Sequence, residues 1–306
     1  MSSQLIRRPA VETVPVQRLG SEIKEDLVVV EDPLEIRIEN ESIVVTMRTP
    51  GYEDELAAGF LYAEGIISGR SDIASIQPRI VDNRSKPSQL RMVNFSGDHV
   101  DVALSKNSPN SRSTAVDPDA ASSSNRPNEI SKLREFAATA ACGVCGKTSI
   151  DELDHKLPSV NSVECDINLL ESLPDRLRQA QTLFDITGGI HAAAIFDLNG
   201  RLLCLREDIG RHNAVDKVIG HFVLRNRIPL SDSILAVSGR AGFELVQKAL
   251  KAEIPAMVSV GAASSVAVDM ATTAGMTLYS FAGRGRGNLH MRLSNHRDPN
   301  EPLSKR

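Results

Sequence analysis

The 306-residue chain has no tryptophan, and aromatic residues make up only 4% of it. Platforms for single-stranded nucleic acid stack bases on aromatic side chains, so that class is disfavoured. Strong charge of either sign is also missing: 35 Lys and Arg stand against 39 Asp and Glu, a formal net charge of −4. Affinity for phosphate must therefore come from local clusters, and no nucleic-acid partner is expected. No apolar run approaches the roughly 18 residues of a membrane-spanning helix. Arg7 and Arg8 are not followed by an apolar stretch, so no secretory or twin-arginine signal is read. The expectation is a cytoplasmic protein with no membrane partner. Cysteine is scarce too, at four residues, and in a reducing compartment these are expected as thiols rather than as a structural disulfide.

Two of those four cysteines sit in one hexapeptide, Cys142-Gly143-Val144-Cys145-Gly146-Lys147. The thiolate is the reactive form of cysteine, and a nearby Lys with free backbone N–H groups lowers the thiol pKa. The flanking glycines let the loop take unusual backbone angles. Three chemistries fit such a pair. A zinc site needs four ligands, and a set of Cys142, Cys145, His155 and Cys165 has irregular spacing. A thioredoxin-type dithiol follows a strand and opens a helix, whereas Leu133 to Ala141 is alanine-rich and lacks a strand pattern. A sulfur carrier would hold sulfur on one thiolate as a persulfide. A fourth reading is two unreactive loop cysteines. No metal site is assigned.

The periodicity divides the chain into a flexible tail over 1–20, an N-terminal α+β domain over 21–104, a disordered polar insertion over 105–128, a helix and the CxxC loop over 129–150, an α/β domain over 151–296 and a tail over 297–306. In the first domain, strands are expected at 27–30, 34–39 and 42–47, the last two as a hairpin, with a helix over 49–64. Strand material follows at 73–81 and 90–104, with Val100, Val102 and Leu104 on one side. A short helix over 130–141 leads into the cysteine pair. In the second domain a helix over 167–182, interrupted near Pro174, precedes a hairpin of strands 189–196 and 202–205 about Asn199-Gly200. Helices at 211–225, 242–252 and 265–274 then alternate with strands at 234–237, 257–260 and 277–281. That alternation implies parallel crossovers and helices on both faces of a mixed sheet.

Ligands of open α/β sheets bind at loops beyond the carboxyl ends of the strands. Four such loops are rich in Gly, Ser, Arg and acid: Glu207–Asn213, Ser238–Gly242, Gly261–Ser265 and Ala282–Gly287. With Arg211, Arg240, Arg284 and Arg286 among them, they point to a phosphate-bearing ligand. Glycines 283, 285 and 287 would let the backbone approach a pyrophosphate closely. His191, entering an apolar strand, reads as a hydrogen-bonded core residue. His212 reads as a ligand contact or a capping residue.

Three stretches, Gly188-Gly-Ile-His-Ala-Ala-Ala194, Arg206-Glu-Asp-Ile-Gly-Arg-His-Asn-Ala-Val-Asp-Lys217 and Ser238-Gly-Arg-Ala-Gly-Phe-Glu-Leu-Val-Gln-Lys248, together with the Cys142/Cys145 loop, resemble the FdhD family of sulfur carriers required for formate dehydrogenase activity. The resemblance covers roughly residues 20–295 apart from the polar insertion. It implies a cytidine-deaminase-like fold for the second domain. It also implies a sulfurtransferase that takes sulfur from a cysteine desulfurase and delivers it to the bis-molybdopterin guanine dinucleotide molybdenum cofactor, with formate dehydrogenase as client. On that resemblance Cys142 carries the persulfide, Cys145 is its partner, and Phe281, Ala282, Gly283, Arg284, Gly285 and Arg286 bind the cofactor. A homodimer is expected. The chain departs from the family in its insertion and at Ala282-Gly283-Arg284. Two other functions stay open: a cofactor-binding chaperone without sulfur chemistry, and a zinc deaminase. The deaminase signature places ligands at two helix starts, which here read Gly210-Arg-His-Asn-Ala214 and Ser238-Gly-Arg-Ala-Gly242, without cysteine.

Overall fold

A computed structural model describes residues 9–17, 22–80, 97–106, 108–110 and 158–290. The expected helix over 130–141, the cysteine pair and the tail over 297–306 lie outside the described residues. The first described residues form a two-stranded antiparallel ribbon, β1 (Val11–Gln17) and β2 (Ile23–Val29), in register from Val11 opposite Val29 to Gln17 opposite Ile23. Of the flexible tail expected over 1–20, the described residues Val11–Gln17 form a strand instead. Pro9 and Pro15 hid the strand in the sequence. A strand with a free edge tolerates proline, because a missing N–H there costs no ladder bond.

A four-stranded sheet follows, built from β3 (Asp32–Ile38), β4 (Glu41–Arg48), β5 (Ile73–Arg79) and β6 (Asp98–Leu104) in the order β4-β3-β6-β5. The β3–β4 hairpin turns at Glu39 and Asn40, both with positive φ, as a two-residue turn matched to strand twist requires. The alternation legible in the sequence is the one that packs. Leu34, Ile36 and Ile38 of β3 and Val100, Val102 and Leu104 of β6 are buried on one face. The first described residues of the insertion expected over 105–128 are ordered against the domain. Ser105 N–H donates to the Asp72 carbonyl (2.8 Å) and the Asn110 amide to the Ile66 carbonyl (2.7 Å), so the described residues up to 110 are tied to the domain.

Helix α1 (Glu53–Ala63) crosses the first sheet and meets the second half of the chain. There, α2 (Ile167–Ala180) and α3 (Thr182–Thr187) precede the hairpin of β7 (His191–Asp197) and β8 (Leu202–Asp208). After it come α4 (Arg211–Leu224), β9 (Ser233–Val237), α5 (Phe243–Lys251), β10 (Ala256–Ser259), α6 (Ser265–Ala274), β11 (Thr277–Ser280) and β12 (Asn288–His290). The six-stranded sheet runs β12-β11-β10-β9-β7-β8. Strands β9, β10 and β11 are parallel to one another. β7 is antiparallel to β8 and β9, and β12, which the sequence did not announce, is antiparallel to β11. The sheet is therefore mixed, with helices on both faces. Ala192, Ala194 and Phe196 of β7 face Leu170, Leu173 and Leu177 of α2, while Ala193 and Ile195 join the core with Val215 and Val218 of α4 and Leu245 of α5. Burying each large aliphatic or aromatic side chain contributes roughly 1.5–3 kcal/mol.

The interruption of α2 expected near Pro174 does not occur; the helix continues through it. Its ring is buried against the loop after β11, where a Cβ on Gly283 would come within 2.9 Å of Pro174 Cβ. Packing across more than a hundred residues thus holds a residue that local propensity disfavours.

The two halves share one core through α1 and α4, which approach at a pair of glycines. A Cβ on Gly59 would lie 1.8 Å from the Asp216 carbonyl oxygen, and one on Gly220 1.8 Å from that of Glu55. Charged groups close the rest of this seam. Asp208 accepts from Lys217 Nζ (2.6 Å) and from the N–H of Thr49 (3.2 Å), while Lys217 also donates to the Thr49 carbonyl (2.8 Å). Asn213 donates to the Met47 carbonyl (2.7 Å), and Glu55 accepts from Arg206 Nε (2.6 Å).

Candidate functional site at the loop edge of the second sheet

The carboxyl ends of β8, β9, β10 and β11 lie along one edge, and β7, being antiparallel, begins there with His191. The loops beyond these ends are stitched backbone to backbone. Gly261 N–H donates to the Gly239 carbonyl (2.9 Å), Ala241 N–H to Ala262 (3.0 Å), Ser264 N–H to Ala241 (3.0 Å) and Phe281 N–H to Gly261 (3.1 Å). The first loop joins at the side-chain level. His212 at the start of α4 pairs with Glu244 at the start of α5 (Nε2 to Oε2, 2.5 Å), and a Cβ on Gly239 would sit 3.5 Å from the His191 ring and 3.8 Å from Arg211 Cδ. The structure thus brings the four sequence-selected loops into one continuous ridge.

The Glu207–Asn213 loop divides between two jobs that its sequence did not separate. Glu207 accepts the N–H groups of Leu183 (2.8 Å) and Phe184 (2.9 Å) and so caps α3. Asp208 and Asn213 belong to the buried seam described above. Only Arg211 and His212 face the ridge. Arg211, Arg240, Arg284 and Arg286 are paired with no described side chain, and Arg240, Arg284 and Arg286 are exposed. By contrast, Lys217 and Lys248, both buried, are each held 2.6 Å from an Asp. Burial lowers the His191 pKa, and Arg211 and His212 add to that, so its imidazole favours the neutral form. It lies 3.4 Å from Ser238 Oγ, which accepts the Ala192 N–H at 2.9 Å. The reading of His191 as a hydrogen-bonded residue agrees with this placement, although it lies at the ridge and not deep in the core.

The segment 281–286 closes the ridge after β11. Phe281 takes a positive φ of 56°, a conformation that costs a residue with a Cβ about 1–3 kcal/mol. Ala282 is buried and donates its N–H to the Ser259 carbonyl (3.1 Å), while residues 283–286 are exposed. The glycines have different reasons. Gly283 is required by Pro174, and Gly287 by the Tyr279 ring, which a Cβ would approach to 2.2 Å. Only Gly285, at φ 64° with nothing within 4 Å, opens the backbone to a ligand.

Glu171 of α2 completes the loop, and sequence reasoning missed it. Its Oε1 accepts the N–H groups of Arg284 (2.8 Å) and Gly285 (2.5 Å), and its Oε2 accepts the Tyr279 hydroxyl (2.8 Å). Burial raises its pKa, but the bonds from Tyr279 and from the backbone of Gly285, Arg284 and Gly283 outweigh that and hold the carboxyl below its ordinary range. No local signal could have found this contact, because the partners are separated by 113 residues in the chain. Glu244 was missed for the same reason.

Cys142 and Cys145 lie outside the described residues. The other two cysteines are described and are not poised as thiolates: burial raises Cys165, and it pushes Cys204 in β8 up to about 11. Among the described residues, no three His, Cys, Asp or Glu side chains are grouped to hold a metal ion, and no helix is long and apolar enough to cross a membrane.

Residues 29–295 match the model of the FdhD/NarQ family. The chain belongs to that family. It is 41% identical over 269 residues to the sulfur carrier protein FdhD of Mycobacterium tuberculosis, covering 86% of this chain and 89% of that one. The protein of the same name from Corynebacterium efficiens is 42% identical over 264 residues, covering 86% and 87%. Among solved structures, one from Desulfotalea psychrophila, provisionally described as a formate dehydrogenase accessory protein, superposes with a TM-score of 0.62 over 92% of this chain and 96% of that one. At 24% identity that likeness establishes the shared fold alone. The family match takes in both the cysteine pair and the 281–286 loop.

Proposed function

We propose that this protein is a sulfurtransferase of the sulfur-carrier type. Cys142 accepts sulfur from a cysteine desulfurase and passes it to the bis-molybdopterin guanine dinucleotide molybdenum cofactor for use by formate dehydrogenase. Membership of a family whose relatives are named sulfur carriers, across a match that includes Cys142 and Cys145, carries this reading. Burial, which raises the Cys165 thiol and pushes Cys204 up to about 11, disfavours thiolate at these two cysteines and agrees with placing exchange at the pair 142 and 145.

In the loading step the Cys142 thiolate attacks the outer sulfur of the donor's cysteine persulfide. The donor's S–S bond breaks, its thiolate leaves, and a persulfide forms on Cys142 with no net change in oxidation level. Delivery of that sulfur as sulfide takes two electrons, which Cys142 and Cys145 supply as they close to a disulfide. The cofactor is the substrate, and the ridge suits its dinucleotide arms. Four arginines without described partners and the open backbone at Gly285 favour phosphates, and holding the substrate in place lowers the entropic barrier to transfer.

The same reading takes the six-stranded sheet as a cytidine-deaminase-like layout put to a different use. The starts of α4 and α5 carry Arg211-His212-Asn213 and Phe243-Glu244 in place of cysteine ligands, so the deaminase signature is missing there.

Mass spectrometry of the protein after incubation with a cysteine desulfurase and cysteine tests the reading. The expected result is a reducible gain of about 32 Da, one sulfur, on the peptide holding Cys142, lost in Cys142→Ala and kept in Cys204→Ala. Labelling of that peptide in Cys142→Ala would overturn the assignment.

A further inference from the structure

We infer that Glu171 is an internal anion gate: its carboxylate occupies a phosphate position on the 283–286 loop, and a diphosphate ligand binds by displacing it. This rests on the reading of that loop as a nucleotide-binding segment and deepens it by naming what the ligand must compete with.

The geometry is that of an anion nest. Two successive N–H groups, of Arg284 and Gly285, converge on the same oxygen of Glu171, at 2.8 and 2.5 Å. Positive φ at Gly283 (83°) and Gly285 (64°) brackets Arg284, which has no positive φ, and such alternation turns consecutive N–H groups toward one point. Backbone concavities of this kind hold phosphates and other anions. Here the anion comes from the chain itself. Arg284 and Arg286 flank the nest, exposed and without a described partner, and a Cβ on Gly285 would meet nothing within 4 Å. The surroundings thus offer more positive charge and more room than one carboxylate uses.

Displacing Glu171 does not require the fold to move. Helix α2 is fixed by Leu170, Leu173 and Leu177, each at most 1% exposed. Glu171 projects beside them to the partly exposed side, so rotation about its side-chain bonds withdraws the carboxylate. Tyr279, whose hydroxyl holds Oε2 at 2.8 Å, is the latch on the other side. A phosphate and an ionised Glu171 cannot share the two N–H groups, because like charges at such distance repel.

The test titrates the full chain by calorimetry with inorganic pyrophosphate and, separately, with GDP, comparing wild type, Glu171→Gln and Tyr279→Phe. Removing the competing charge in Glu171→Gln is expected to tighten pyrophosphate by about tenfold. Tyr279→Phe, which loosens the carboxylate without touching the nest, is expected to move affinity the same way by less. Weaker or unchanged pyrophosphate binding in Glu171→Gln, or no pyrophosphate binding by any of the three proteins, overturns the gate and makes Glu171 a brace for the loop. GDP separates this outcome from failure of the broader reading. A gain with pyrophosphate while GDP binds no better than pyrophosphate upholds the gate and sinks the guanine assignment. GDP binding that is tight and indifferent to Glu171→Gln does the reverse.

Discussion

The seam between α1 and α4 and the ridge of loops beyond the second sheet are built from the same residue types, Arg, Lys, Asp, Glu, His and Gly, and use them in opposite ways. At the seam every cation is matched: Lys217 sits 2.6 Å from Asp208, Arg206 2.6 Å from Glu55 and Lys248 2.6 Å from Asp216. Glycines there bring two helices within backbone contact. At the ridge four arginines have no described partner and three of them are exposed, Gly242 and Gly285 open onto empty space, and among the described residues the carboxylate on the 283–286 loop comes from a distant helix. Charge that is buried must be paired, because desolvation penalises it heavily. Charge left exposed and unpaired on a converging edge is available to a ligand.

The comparison breaks first, and hardest, at Lys217. Lys217→Met would leave Asp208 buried without its cation, and a loss of roughly 3–5 kcal/mol in urea unfolding is expected. The double variant with Asp208→Asn should recover part of it, and full stability in Lys217→Met alone would show that the seam is not a matched network. Next comes Gly220→Ala, whose Cβ would enter the Glu55 carbonyl. The helices must part, at a cost near the upper end of the roughly 1–3 kcal/mol of overpacking. Urea midpoints that match wild type would refute the close crossing.

Acid should act through the half-buried imidazoles. Burial lowers the pKa of His191, His221 and His290, so the unfolded chain takes up protons before the folded one does. Stability is then fully present above the ordinary histidine value of about 6.5 and falls as pH drops through it. Urea midpoints measured from pH 7.5 to 5.5 should decline, less so in His221→Gln, and a flat profile in wild type would count against the burial of these rings. The smallest stability effect belongs to the ridge. Arg284→Ala with Arg286→Ala should leave unfolding within about 0.5 kcal/mol of wild type. GDP affinity, measured by calorimetry, should fall more than tenfold, since each charge-assisted donor contributes roughly 1.5–3 kcal/mol. A folding defect there, or unchanged GDP binding, would erase the distinction between seam and ridge.

Most of the fold was legible because its core strands announce themselves locally. Alternation over Leu34–Ile38 and Val100–Leu104, and the change from period two to helical spacing after residue 206, located the sheets and helices. The failures share a cause. Pro15 hid β1, and Pro174 suggested a break in α2, because proline is judged by local rules. An edge position and a tertiary contact with Gly283 overrode those rules.

By itself the sequence determined the alternating core, the loops that would share an edge and the motifs that carry the family likeness, since each of these is written in neighbouring residues. Only the tertiary structure decided which polar residues of a single motif turn inward. Asp208, Asn213 and Lys217 close onto residues 46–49, while Arg211 and His212, from the same stretch, reach the ridge. It alone set Glu171 against the backbone of Arg284 and Gly285. Burial and pairing between distant segments have no local period, so they become readable only when the chain is folded.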